Sequence, residues 1–83
     1  MSPTEIFRKK PRNKEQAAKI MQIQANALDT CIQTVELCDG QLLECLRQTP
    51  EADIDDQHAI EQDYHEALWR LKEAAKRLRK LAK

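Results

Sequence analysis

Two apolar repeats in steps of three and four residues, separated by Thr49-Pro50, constrain this chain more than any other feature. Such spacing holds side chains on one stripe of an α-helix, because 3.6 residues make a turn. With Met21 assigned to heptad position a, the first repeat runs Ala17, Met21, Gln24, Leu28, Cys31, Val35, Cys38, Leu42 and Cys45. The second runs Ile60, Tyr64, Ala67, Leu71, Ala74, Leu78 and Leu81, widened by Leu68, Ala75 and Ala82. One stripe per helix needs one partner, so two long helices joined by a short connection must fold back on each other.

The ends of both helices are written in capping residues. Asn13 with Gln16 three positions on resembles a capping box, and Pro50 disfavours helix at the residue before it, so the first helix is expected over 14–48. The connection is expected over 49–54. Glu51, Asp53, Asp55 and Asp56 suit a helix N-terminus, with Asp53 or Asp55 as cap and Ile54 as a hydrophobic staple, giving a second helix over 55–82. Asp39-Gly40 is a turn signal inside the first repeat, yet the spacing crosses it without a change of phase, which favours a kinked or weakened helix over a break. Residues 1–12 form a basic arm, flexible or with one short helix over Thr4 to Lys10, since Pro11 stops anything begun there. The fold class is all-α: an antiparallel, coiled-coil-like two-helix hairpin, expected to assemble into a four-helix bundle.

Assembly is expected on two grounds. A chain of 83 residues makes one domain and buries only roughly 60% of the surface its unfolded form exposes. Meanwhile Ile20, Ile23, Ala27, Thr30, Thr34 and Leu37 trace a second uncharged line on helix one, beside the first. A second copy or a partner's helices would supply the missing core.

Charge gives the other ground. Net charge is zero, with fourteen basic and fourteen acidic residues, but residues 1–28 with 68–83 hold thirteen of the bases and only Glu5, Glu15 and Glu73. Residues 29–67 hold Arg47 and the other eleven acids, so the two regions carry +10 and −10. On helix two this order complements the helix dipole; on helix one it does not. A hairpin would then set like beside like at each end, and a second copy packed in the opposite sense would offset that repulsion.

Candidate contact residues follow from this layout. Trp69 falls at position f, away from the stripe, among Arg70, Lys72, Glu73 and Lys76, and Trp is enriched at interface hot spots. With Ile20, Ile23, Ala27 and Leu37 it makes the expected protein interface. An alternative is an RNA- or DNA-binding regulator: Arg8, Lys9, Lys10 and Arg12 come near Arg77, Arg79 and Lys80 in a hairpin, a cluster able to neutralise phosphates. The basic amphipathic run from Leu68 to Lys83 also resembles a membrane-surface helix, a reading disfavoured because Leu71, Leu78 and Leu81 are needed in the stripe.

Other chemistry has little support. His58, Glu61 and His65 share a face of helix two with Asp55 nearby, but their spacing is no ligand signature. Cys31, Cys38 and Cys45 sit seven residues apart, about 10 Å along a helix, too far to bridge; they read as inward-facing reduced thiols of a cytoplasmic protein. No phosphate loop and no nucleophile with a base stands out, and no apolar run approaches the ~20 residues of a membrane span. The expected protein is a non-enzymatic adaptor, chaperone-like factor or regulator. It needs no cofactor, metal or small-molecule substrate and binds a protein partner, with itself in a homodimer as the first choice.

Overall fold

The computed structural model describes residues 10–83, in two helices, α1 (Lys14–Gln48) and α2 (Ile54–Leu81). The arm expected over Thr4 to Lys10, and the basic residues Arg8 and Lys9, lie almost wholly outside the described residues.

Local chemistry sets each boundary. Asn13 is extended, and its Oδ1 accepts from the Gln16 amide at 2.9 Å. Gln16 Oε1 in turn accepts from the Arg12 amide at 3.0 Å, so two N–H groups with no partner in the helix are satisfied reciprocally. At the other end the Thr49 amide donates to Leu46 O and its hydroxyl donates to Cys45 O, after which Pro50 cannot continue the ladder. The Ala52 amide then donates to Thr49 O, and Asp53 caps α2 by accepting from the Asp55 amide at 2.8 Å. Gln57 Nε2 reaches back to Ala52 O at 2.9 Å and ties the turn to the helix. Ile54 is the first residue of α2 and 66% exposed, so the staple expected of it does not form.

α1 passes through Gly40 without interruption, and that glycine has no positive φ. The turn signal of Asp39-Gly40 is overridden because the residues on either side stay packed on α2. The two helices lie antiparallel in one layer, a slab of 55 × 27 × 15 Å.

Of the sixteen repeat positions expected in the seam between them, seven are exposed. On α1 Ala25 and Ile32 are buried, and Ala17, Ala18, Ile20, Met21, Gln24, Ala27, Leu28, Asp29, Val35, Asp39, Leu42 and Leu46 are half-buried. On α2 Ala75 is buried, and Gln57, Glu61, Tyr64, Leu68, Leu71, Glu73, Leu78, Arg79 and Ala82 are half-buried. Every member expected at heptad position a holds; at d, Ala17 and Gln24 stay half-buried, while the other d members give way to the residues that follow them, of which Leu68, Ala75 and Ala82 were already expected to widen the seam. Cys31, Cys38 and Cys45, expected to face inward, are exposed, and so are Ile60, Ala67, Ala74 and Leu81. Both helices are turned the same way, which buries Ile32 in place of Cys31 and Leu68 in place of Ala67. At these two positions the larger side chain enters the seam, and burial of apolar area favours that choice by roughly 0.8 kcal/mol for each added CH₂.

The same rotation brings charges together along one flank. Asp29 meets Arg79, Glu36 lies 3.7 Å from Lys72, and Asp39 lies 3.8 Å from His65. His65, Lys72 and Arg79 are each seven residues apart, as are Asp29 and Glu36, so these pairs form a row. The expectation that like charges sit side by side therefore fails in the middle of the hairpin. The sign of charge changes at Asp29 on α1 and at Leu68 on α2, and Leu68 is level with Thr34, so the bases of α2 overlap the first acids of α1.

Candidate functional site, an uncharged face of the hairpin

With one flank of the seam closed by ion pairs, the opposite flank is defined by the heptad repeat itself. On α1 it carries the line Ala17, Gln24, Cys31, Cys38 and Cys45, and beyond it the line Ile20, Ala27, Thr34, Gln41 and Gln48. On α2 it carries Ile60, Ala67, Ala74 and Leu81. Antiparallel helices with matching repeats present like-numbered flanks on the same side of the layer, so these three lines form one face. None of their residues is charged.

The face leaves apolar side chains open to solvent. Leu81 is 69% exposed, and Ile60 is exposed too. Thr34 donates its hydroxyl to Thr30 O at 3.0 Å, four residues back on its own helix. Its methyl group is what it presents outward, and covering it leaves no hydroxyl proton without an acceptor.

Of the interface residues expected from sequence, Ile20 and Ala27 are half-buried at the edge of this face, while Ile23 and Leu37 share one position of the repeat on the outer side of α1, Leu37 being 76% exposed. Trp69, 63% exposed, stands on the outer side of α2 and does not join the others. The face thus unites Ile20, Ala27 and Thr34 of the second apolar line with the cysteine line that sequence reasoning had placed inside.

The basic open end is partly spent within the hairpin. Lys10, Arg12, Arg77 and Lys80 are exposed, but Arg79 is half-buried and engages Asp29 while donating to Asn26 Oδ1 at 3.2 Å. The hydrogen bond that Arg79 donates to Asp29 raises the Arg79 pKa, against a smaller opposing effect of desolvation, so its charge is fixed. Arg79 is a hairpin clasp rather than a free phosphate-binding group.

His58, Glu61 and His65 do not converge with Asp55, and among the described residues no three His, Cys, Asp or Glu side chains are placed to hold a metal ion. Among the same residues no helix is long and apolar enough to cross a membrane. The row of ion pairs was not anticipated from sequence, although the seven-residue spacing of Asp29 with Glu36 and of His65, Lys72 and Arg79 carried the signal. No protein-family model, curated protein or solved structure matches this chain.

Proposed function

We propose that this chain is a small non-enzymatic adaptor or regulatory protein that works by helix-mediated contact, laying its uncharged face against the helices of another chain. The carrying observation is the contrast between the two sides of the layer: one side carries the ion pairs Asp29–Arg79 and Glu36–Lys72, with the His65 imidazole beside Asp39, and the other is uncharged over the length of α1. Among the described residues only Ala25, Ile32 and Ala75 are buried, and no large side chain is fully enclosed. A domain with so thin a core gains stability when a second layer covers it. We take a second copy, completing a four-helix bundle, as the first occupant of the face. The three exposed thiols support work in a reducing compartment, the cytoplasm.

Light scattering on the wild-type chain and on Cys31→Glu tests this reading. A wild-type mass of twice the chain, falling to one chain in a variant that remains helical, supports it. A helical wild-type monomer whose binding to other proteins is untouched by Cys31→Glu overturns it. The rival reading, nucleic-acid binding through Lys10, Arg12, Arg77 and Lys80, predicts instead retention on heparin that Cys31→Glu leaves unchanged.

A further inference from the structure

The uncharged face has a geometry that limits how a second copy can cover it, and the following rests on the reading just given. Two copies of a helical layer stacked face to face are related by a two-fold axis lying between the layers. If that axis runs along the helices, α1 stacks on α2 of the other copy and the open ends coincide. If it runs across them, α1 stacks antiparallel on α1, α2 on α2, and each open end covers the other copy's connection. The charge map separates these cases, because the first sets +10 on +10 and the second sets +10 on −10.

The unequal lengths of the helices then place the axis. α1 has 35 residues and α2 has 28, a difference of seven. Counting back from Gln48 and Ile54 at the connection, Leu81 is level with Met21, and Ala17, Ala18 and Met21 share a cleft with Leu81 and Ala82 at the open end. Lys14–Ile20 thus extends past α2 by about 10 Å. Full overlap of the paired parts, Met21–Gln48 and Ile54–Leu81, centres the axis level with Thr34 and Ala67.

We infer that two copies stack antiparallel, α1 on α1 and α2 on α2, about an axis level with Thr34 and Ala67. The first turns of each α1 then lie along the acidic connection of the other copy.

Three independent features agree with that axis. The extension carries Lys14 and Lys19, preceded by Arg12, and comes level with the connection of the second copy, which holds Glu51 and Asp53. The rim of the face on α2 reads Asp56, Asp63, Arg70, Arg77 at seven-residue steps, acid twice and then base twice. Reversed about Ala67, that rim sets Asp56 beside the second copy's Arg77, and Asp63 beside its Arg70, to within about 3 Å along the axis. Among the described residues Asp56, Asp63 and Arg77 form no ion pair within the hairpin. Finally, the residues nearest the axis are Cys31, Thr34, Cys38 and Ala67, small side chains that allow close approach of the backbones.

The test is site-directed crosslinking on the full chain in a background with Cys31, Cys38 and Cys45 changed to Ala. A single thiol is introduced as Thr34→Cys or Ala67→Cys, or Cys45 alone is retained. Each of the first two is expected to join copy to copy with a short bismaleimide. Cys45 alone should react at least tenfold more slowly, since its two copies stand about 30 Å apart. Equal crosslinking at residues 34 and 45 overturns the inference in favour of parallel stacking. A dimeric mass with no crosslink at 34 or 67 places the contact on another face and overturns it too, as does a monomeric mass. The Cys31→Glu measurement keeps the two failures apart: if that change still splits the dimer, the uncharged face stands and only the arrangement of copies is wrong.

Discussion

Arg79, two residues from the end of α2, engages Asp29 near the middle of α1 and also donates to Asn26 at 3.2 Å. The contact ties together positions fifty residues apart in sequence and fixes the rotation of both helices about their axes. If α2 were turned to bury Leu81 and Ala74, Arg79 would swing away from α1. The pair is half exposed, so its worth in stability is modest, but its worth in register is larger. Arg79→Ala is expected to lower Tm by a few degrees at low salt and by less at high salt. In a double-mutant cycle Asp29→Ala should add little to Arg79→Ala, because both remove the same contact. Full additivity of the two changes would show that the contact is not formed in solution.

The seam offers a sharper test through adjacent residues. Ile32 is 8% exposed and its neighbour Cys31 is open to solvent, although the two compete for one place in the repeat. Ile32→Ala is expected to cost about 2–4 kcal/mol, as large-to-small changes in cores do. Cys31→Ala should leave hairpin stability within about 0.5 kcal/mol, provided the comparison is made where the chain is monomeric. The same contrast is expected between Leu68→Ala and the Ala67→Ser exchange. Urea denaturation of the four variants decides it, and a costly Cys31→Ala beside a harmless Ile32→Ala would restore the seam read from sequence.

That contrast also locates what the sequence could and could not convey. Helix existence was legible because apolar spacing, the Asn13–Gln16 cap and Pro50 all state the same boundaries. The positions Met21, Leu28, Val35 and Leu42 were legible because nothing else on α1 competes for them. The second half of each seam was not, since Cys31 and Ile32, or Ala67 and Leu68, satisfy a three-four rule equally well. What decides between them is the flank: Asp29, Glu36, Lys72 and Arg79 meet only in one rotation, and that is a property of two helices together. The uncharged face was therefore half seen, as the line of Ile20, Ala27 and Thr34, with its cysteine half placed in the core.

Gly40 is the plainest weakness in α1. It sits on an exposed helical turn without positive φ, and a Cβ added there meets nothing within 4 Å. Glycine in a helix interior costs about 0.5–1 kcal/mol relative to alanine. Gly40→Ala should therefore raise stability by that amount and Tm by roughly 4–8 °C per kcal/mol for a domain of this size. Circular dichroism melts at one fixed concentration check it. A lower Tm would mean that Gly40 has a bent or left-handed backbone in solution and that α1 is not one continuous rod.

Trp69 stands apart from every contact that forms the hairpin or the uncharged face. As the only tryptophan it reports its own surroundings, and its fluorescence should have the red-shifted maximum of an indole in water, in monomer and dimer alike. Its neighbours are committed elsewhere: Arg70 pairs with Glu66 at 2.6 Å, and Lys72 reaches across to Glu36. A large exposed aromatic ring beside such fixed charges is the kind of anchor around which protein contacts concentrate. Trp69→Ala is expected to shift stability by less than about 0.5 kcal/mol and to leave the oligomeric mass unchanged. Should a third protein bind on this outer side, Trp69→Ala is expected to weaken its affinity at least tenfold, corresponding to about 1.4 kcal/mol. A blue-shifted emission that reddens on dilution would place Trp69 inside the assembly, and the two sides of α2 would then exchange roles.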